Sequence, residues 1–292
     1  MFTLLSVGLI FLFYLTLIKL VYYRYKVKWP TLWNKMLLRL RGEDINLYRT
    51  RERHESYSRK SVKVAHEPGD VRVLLVTAHP DDECMFFAPT IIRLVELNVS
   101  ILVLCLSSGN YYNQGVQRQK ELLDSCAVLG IPASQVTIID DKELPDDPKV
   151  EWSVALTSSL ILKHIRTHSI NLVLTFDGRG VSGHANHIAI YKAVSHLAFA
   201  GRIPADCQVL ALRTVSILRK YLSVLDLPIS WLRPSDLCCV IGLEECRRAK
   251  RAMLCHRTQL LWFRYLYILF SSYMFVNTFQ AIAVETKNLK IY

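Results

Sequence analysis

The chain reads as an α/β fold: a mostly parallel sheet flanked by helices, preceded by an N-terminal transmembrane helix. Two observations predict the sheet. Short apolar runs rich in β-branched residues recur around Val71–Thr77, Ser100–Leu106, Gln135–Ile139 and Ile170–Thr175. Such continuous runs suit strands buried on both faces. Stretches of helical length lie between them, and strand–helix alternation is the mark of a parallel sheet. A third observation, the apolar stretch from Phe2 to Tyr23, predicts the membrane helix.

That first stretch is apolar apart from Thr3, Ser6, Thr16 and Lys19. As a helix it spans about 33 Å, enough for a bilayer core of about 30 Å. Lys19 lies near its end, where it can snorkel. The flank that follows carries Arg24, Lys26, Lys28 and Lys35 among Tyr25, Trp29 and Trp33. Basic and aromatic residues of this kind mark a membrane interface and put the bulk of the chain on the cytosolic side. A cleaved signal peptide is the competing reading. It wants a basic start and a small-residue cleavage site, and neither is present.

The organisation expected is an anchor over 1–23, a basic juxtamembrane segment over 24–69, a catalytic domain over 70–257 and an apolar segment over 258–292. Arg39 to Gly69 reads as a linker, an irregular covering segment or a basic surface for anionic headgroups. Strand Val71–Thr77 leads into a helix from about Glu83 to Leu97. Ser100 to Leu106 is the next strand and ends in a turn, Ser107-Ser108-Gly109-Asn110, that suits either plain turn chemistry or contact with sugar hydroxyls. A helix from about Gln114 to Leu129 stops at Gly130 and Pro132. Gln135 to Ile139 is a short strand. The acidic run Asp140-Asp141-Lys142-Glu143 with Asp146-Asp147 reads as a solvated loop, with a second metal site as the alternative. A helix from about Val150 to Thr167, strand 170–175 and a helix from His187 to Ala200 complete the alternation. Gln208–Thr214 and Val215–Ser223 are expected as edge strands, and a charged helix around Glu245 to Met253 follows. Leu260 to Ala283 suits a membrane-surface, re-entrant or buried helix, although Arg264, Asn277 and Gln280 argue against simple spanning.

Composition excludes several classes. The 292 residues, 51% hydrophobic, fill a full core. The balance of 36 basic against 25 acidic residues, net +11, suits an anionic partner. No basic stripe with interleaved aromatics and no zinc-finger spacing points to nucleic acid. None of the eight cysteines forms a C-x-x-C pair, so they read as buried thiols in a reducing compartment. Cys84 as a nucleophile is weak, because it falls on the first turn of a core helix. No G-x-G-x-x-G follows the first strand, which argues against dinucleotide binding.

The chemistry concentrates at two strand ends. The first strand runs into Ala78-His79-Pro80-Asp81-Asp82-Glu83, and strand 170–175 runs into Phe176-Asp177-Gly178-Arg179-Gly180-Val181-Ser182-Gly183-His184-Ala185-Asn186-His187. Pro80 ends the first strand. Parallel strands put both loops at one edge, where ligands bind in open α/β sheets. His79, Asp82 and His187 then converge on one divalent ion. Two imidazoles and a carboxylate leave coordination positions open, as catalytic sites do. The alternative is a polar turn before a helix cap.

The two motifs together resemble the LmbE-like, or GlcNAc de-N-acetylase, family over about residues 70 to 257. The resemblance implies a Rossmann-like fold and a divalent metal, zinc in most members. It implies His79, Asp82 and His187 as metal ligands, Asp81 as general base, and His184 as the group that stabilises or protonates the reacting amide. Cys255-His256-Arg257-Thr258-Gln259 resembles a later family motif, so His256 and Gln259 are expected near the site. Glu83, Asn110, Arg179, Ser182 and Asn186 complete the candidate substrate or supporting residues. The chain departs from the family where a His-Pro-Asp-His form is common: Asn186 stands in place of a carboxylate that orients the first histidine. Ser182 stands where some relatives carry tyrosine. With the anchor and basic flank, the resemblance implies de-N-acetylation of N-acetylglucosaminyl-phosphatidylinositol in glycosylphosphatidylinositol (GPI) anchor synthesis. The expected partners are that glycolipid and the endoplasmic reticulum bilayer, with no nucleic acid and no obligate protein. A soluble N-acetylglucosamine conjugate is the alternative substrate, and a non-catalytic membrane scaffold the alternative class.

Overall fold

The computed structural model describes residues 2–40 and 71–283. The stretch read as a linker or covering segment, beyond Leu40, lies outside the described residues, as does the polar tail. Helix α1 (Phe2–Leu40) begins where the sequence puts it but runs well past Tyr23. The segment expected as juxtamembrane from residue 24 therefore starts as helix. Packing explains the extension: Trp29 and Trp33 are buried against the main core and stack at 6.1 Å, and helices in proteins are held chiefly by such burial. Within α1, Ser6–Trp29 is long and apolar enough to cross a membrane. Val7 to Phe13 are exposed, whereas Ile18 and Val21 pack against Leu227, Cys238 and Val276.

The sheet has seven strands in the order β3-β2-β1-β4-β5-β7-β6. The strands are β1 (Arg72–Thr77), β2 (Ser100–Cys105), β3 (Val136–Ile138), β4 (Leu172–Phe176), β5 (Gln208–Leu212), β6 (Leu237–Val240) and β7 (Val276–Ala281). The first five are mutually parallel; β7 runs antiparallel to β5 and β6. β1 and β4 are the buried centre, and every β4 residue is shielded from water. Leu75 pairs in register with Leu174, so the two strands end side by side at Thr77 and Phe176. Strand order reverses between them, and that is the crevice where an open α/β sheet takes its ligand.

Helices α2 (Asp82–Phe86) and α3 (Ala88–Glu96) replace the single helix expected over 83–97. Pro89 in the first turn of α3 offers no N–H and forces the break at Phe87. Helices α4 (Gly115–Leu129), α5 (Val154–Thr167) and α6 (Ala185–Phe199) follow as crossovers. α5 starts four residues later than expected because Ser153 caps it, accepting from the Leu156 N–H. Val215–Ser223 is not a strand. It holds α7 (Ile217–Lys220), and a turn then folds back so that Asp226 pairs with Arg219 at 2.7 and 2.9 Å. A bidentate pair of that kind fixes the bend. Helices α8 (Leu227–Leu232) and α9 (Leu243–Met253) flank β6.

Leu260–Ala283 is not one helix either. α10 (Trp262–Phe270) is followed by β7, threaded between β5 and β6. Asn277, near the start of β7, is fully buried and joins the sheet to the helix break. Its Oδ1 accepts from Thr90 N (3.2 Å) and Oγ1 (2.7 Å), and its Nδ2 donates to Phe86 O at 2.8 Å. Those are the unpaired groups that a broken helix leaves. Asn277→Ala strands them in the core, at a cost of about 2 kcal/mol or more. Thermal unfolding of the purified protein should show Tm lowered by about 5 °C. An unchanged Tm would show that the contact carries no net stability.

Candidate active site and metal centre

The β1 loop is built around the carboxylate of Asp82. Its Oδ2 accepts from the backbone N–H groups of Ala78 and His79, both at 2.9 Å. That turns Oδ1 toward His187, whose Nε2 lies 3.1 Å away. Burial works against the Asp82 charge, but His187 and His79 override it and hold the carboxyl well below its ordinary value. Asp81 beside it has φ 124°, a conformation costly for a residue with a Cβ. Glu83 Oε2 accepts from the Asp81 N–H at 3.1 Å and helps fix it there. Burial raises the Asp81 carboxyl, and Arg264 and Arg118 offset this only in part.

The β4 loop delivers the other two histidines. His187 donates from Nδ1 to the carbonyl of Gly180 at 3.0 Å, which leaves Nε2 bare. Its ring stacks on Phe176 with centroids 3.8 Å apart. Gly180 sits at φ 57°, and a Cβ there would lie 3.1 Å from that of His187. Asp177 braces the loop by accepting from Thr214 N (2.7 Å) and Oγ1 (2.6 Å). The His79 ring lies 4.7 Å from that of His184 and 5.5 Å from that of His187.

His79, Asp82 and His187 are thus brought together, and His184 stands among them. One ring nitrogen from each histidine falls within 4.8 Å of the others. The Nε2 atoms of His79 and His187 are buried and have no well-aligned hydrogen-bond partner among the described residues. Each instead faces a carboxylate oxygen at 3.1 Å, His79 that of Asp146 and His187 that of Asp82. Bare imidazole nitrogens aimed at carboxylates fit a divalent cation, because the ion satisfies both kinds of donor at once. Burial, then His79 and His187, push the His184 imidazole down to about 4, so it is neutral at physiological pH.

Asp146 is a correction to the solvated-loop reading. It lines the site and accepts from Arg118 Nη1 at 2.9 Å. Arg118 also donates to the Pro80 carbonyl at 2.8 Å and so ties Asp146 to the β1 loop. The loop is folded inward because Leu144 and Trp152, at either end of the second acidic pair, are each 1% exposed. Trp152 Nε1 and Asn186 Nδ2 both donate to Pro145 O. Those two apolar anchors were the signal available in the sequence. Arg118, Arg264, Tyr111 and Lys220, which share the cavity of about 370 Å³, had no local signal.

Ser182 and Gln259 line the cavity. Asn186 is buried beside it, its Oδ1 has no partner, and no hydrogen bond joins it to His184 among the described residues. Asn110 does not line the cavity; its Oδ1 accepts from the Gly115 N–H, the first of α4, at 2.9 Å. Arg179 is exposed and lines a separate hollow.

Glu83 and His256 lie behind the site. Glu83 Oε1 accepts from Ser125 at 2.5 Å and pairs with His256 Nε2 at 2.8 Å. Cys84 is near, but burial holds its thiol well above the ordinary value, and it donates to Asp81 O at 3.2 Å. Glu83, Cys84 and His256 form a second group whose ligand atoms lie within 4.8 Å of one another, and here its hydrogen bonds support the β1 loop from behind. Burial opposes both charges of the pair, yet mutual attraction lowers Glu83 below 4.5 and raises His256 above 6.5. The Glu83 share of stability is present above 4.5 and fades as pH falls; the His256 share is full below 6.5 and fades as pH rises. Glu83→Gln should cost about 3–5 kcal/mol. The gap to the parent should be widest between pH 4.5 and 6.5. Denaturant unfolding across pH measures it, and a pH-independent gap would contradict the ion pair.

Comparisons with known proteins identify the family of this chain. The family described as PIG-L, GlcNAc-PI de-N-acetylase, matches residues 74–198. The chain is 54% identical over 210 residues to N-acetylglucosaminyl-phosphatidylinositol de-N-acetylase of Bos taurus, covering 72% of this chain and 83% of the relative. It is 33% identical over 254 residues to the Saccharomyces cerevisiae protein of that name, covering 74% and 83%. Among solved structures, N,N'-diacetylchitobiose deacetylase from Pyrococcus horikoshii shares the fold, with TM-score 0.53, 15% identity, and coverage of 72% of this chain and 83% of that one. The sequence match covers both strand ends that build the site, and the chain belongs to the PIG-L family of GlcNAc-PI de-N-acetylases.

Proposed function

We infer that the protein is a membrane-held, divalent-metal-dependent hydrolase. It removes the N-acetyl group of N-acetylglucosaminyl-phosphatidylinositol, giving glucosaminyl-phosphatidylinositol and acetate in GPI-anchor synthesis. The observation that carries this reading is the pair of bare Nε2 atoms of His79 and His187 beside Asp82, at the edge where β1 and β4 end. In this reading those three residues hold the metal. A bound divalent cation, zinc here, supplies a Lewis acid that polarises an amide carbonyl and brings a water pKa toward about 7.

The chain's own groups do the rest. Asp81, raised by burial, accepts the proton of the attacking water and returns it to the amine nitrogen as the C–N bond breaks. Arg264 Nη2, 3.3 Å from Asp81 Oδ2, holds that carboxylate in place. His184, neutral, donates a hydrogen bond to the oxyanion that develops on the acetyl carbon. Arg118 and Asp146 keep the β1 loop and the His79 ring in register.

The anchor supports a lipid substrate. In this reading the exposed N-terminal part of α1 enters the membrane, the part from Tyr14 onward that packs on the folded unit lies at its surface, the basic flank faces the cytosol, the membrane is the endoplasmic reticulum, and residues 71–283 form the catalytic unit.

Purified protein should release acetate from GlcNAc-phosphatidylinositol and lose that activity on chelation. Asp81→Asn should keep the metal, measured by elemental analysis, and lower kcat by about 10²–10⁴. Unchanged turnover would remove Asp81 from its role. Because a deprotonated Asp81 is required and His184 is already neutral, the rate should rise with pH through an acid limb above 3.8, and no falling limb near neutrality should belong to His184. A falling limb near neutral pH that disappears in His184→Gln would contradict the neutral imidazole.

A further inference from the structure

Among the described residues Lys220 is a cation without a counterion. It ends α7 and lines the same cavity as His79, His187 and Arg264. Its Nζ lies 5.4 Å from the Tyr267 ring centroid and 5.9 Å from that of Tyr221. Among the described residues it makes no ion pair. Burial, and then the like charge of Arg264, depress its pKa. Arg264 has Asp81 to answer it; Lys220 has only aromatic faces. A half-buried, unneutralised ammonium next to a second cation creates a strong local attraction for an anion.

The surroundings say which anion. The wall that carries Lys220 continues outward as bare apolar surface. Ile217 and Leu218 of α7 are 73% and 80% exposed, and Trp262 of α10 is 76% exposed. Leu266, Leu269 and Phe270 extend the same helix, each at least 44% exposed. The turn just beyond α7 is tied to the apolar helix α1, whose Tyr14 hydroxyl donates to Leu225 O at 2.6 Å. Exposed aromatics flanked by Lys and Arg, continuous with a helix able to cross a membrane, belong at the headgroup layer. An anion entering past that rim carries its own apolar tail.

We propose that Lys220, with Arg264 beside it, forms the subsite for the phosphodiester of the glycolipid, between the deacetylating centre and the apolar rim. The identity of the lipid rests on the function proposed above; the capture of a phosphodiester does not. Lys220 is a specificity-determining residue. It makes no contact with the proposed ligands of the cation, so its loss weakens binding and spares turnover.

The test uses the full chain in mixed micelles, as the parent, Lys220→Gln and Lys220→Arg. Lys220→Gln should raise KM for GlcNAc-phosphatidylinositol about tenfold with kcat within about twofold, the loss expected for one charge-assisted contact. Lys220→Arg, which keeps the charge, should recover most of it. Glycerophosphoinositol, a soluble phosphodiester, should compete with the substrate on the parent and about tenfold more weakly on Lys220→Gln. Inorganic phosphate should compete weakly and equally with both. An unchanged KM, or a fall in kcat alone, overturns the proposal. Inorganic phosphate competing as well as the diester, and weakened by the same substitution, would replace a lipid subsite with a general phosphate site and also overturns it. If the parent released no acetate, the function would fail separately, and calorimetric binding of glycerophosphoinositol to the two proteins would still decide the role of Lys220.

Discussion

One carboxylate sets the geometry of this protein. Asp82 commits one oxygen to two backbone N–H groups of its own loop and turns the other toward His187 on a different strand. That contact requires β1 and β4 to be neighbours and to end at the same level, which their parallel register provides. It also requires a sharp turn after Pro80, and the positive φ of Asp81 is its cost. Strain of this kind persists only where the surroundings over-determine it. Here Glu83 holds the Asp81 N–H from below, and Arg118 holds the Pro80 carbonyl from the side.

Around this point the site is a balance of buried charge. Four carboxylates, of Asp81, Asp82, Glu83 and Asp146, face three imidazoles, of His79, His187 and His256, and two guanidiniums, of Arg118 and Arg264. Burial alone would neutralise most of them. The pairing keeps Asp82 and Glu83 ionised, while Asp81, farther from full compensation, is raised. One loop therefore presents two adjacent aspartates of opposite tendency, one suited to hold a cation and one suited to exchange a proton.

The parts that were legible in the sequence are those with local signals. β1 and β4 are continuous apolar runs punctuated by Pro80 and by Gly178 and Gly180, so both strands and both loops could be read directly. The elements that were not legible depend on distant contacts. The apolar stretch holding β7 has the composition of a buried helix, and only its insertion between β5 and β6 makes it a strand. Asp146 looks solvated until Trp152 and Asn186 pull its loop inward through the Pro145 carbonyl. Arg118, Lys220 and Arg264 are ordinary surface residues by sequence, and tertiary packing alone brings them to one cavity. The site was therefore read as a set of candidate ligands, while the groups that brace those residues and line the rest of the cavity came from the fold.

In the proposed function, His79, His187 and Asp82 hold one divalent ion. The most direct measurement is X-ray absorption of the zinc-loaded protein at the zinc edge. Two imidazole nitrogens with oxygen neighbours at about 2.0–2.1 Å are expected, and they should fall to one imidazole in His187→Ala. A sulfur neighbour at about 2.3 Å would place the ion at Cys84 and contradict the account.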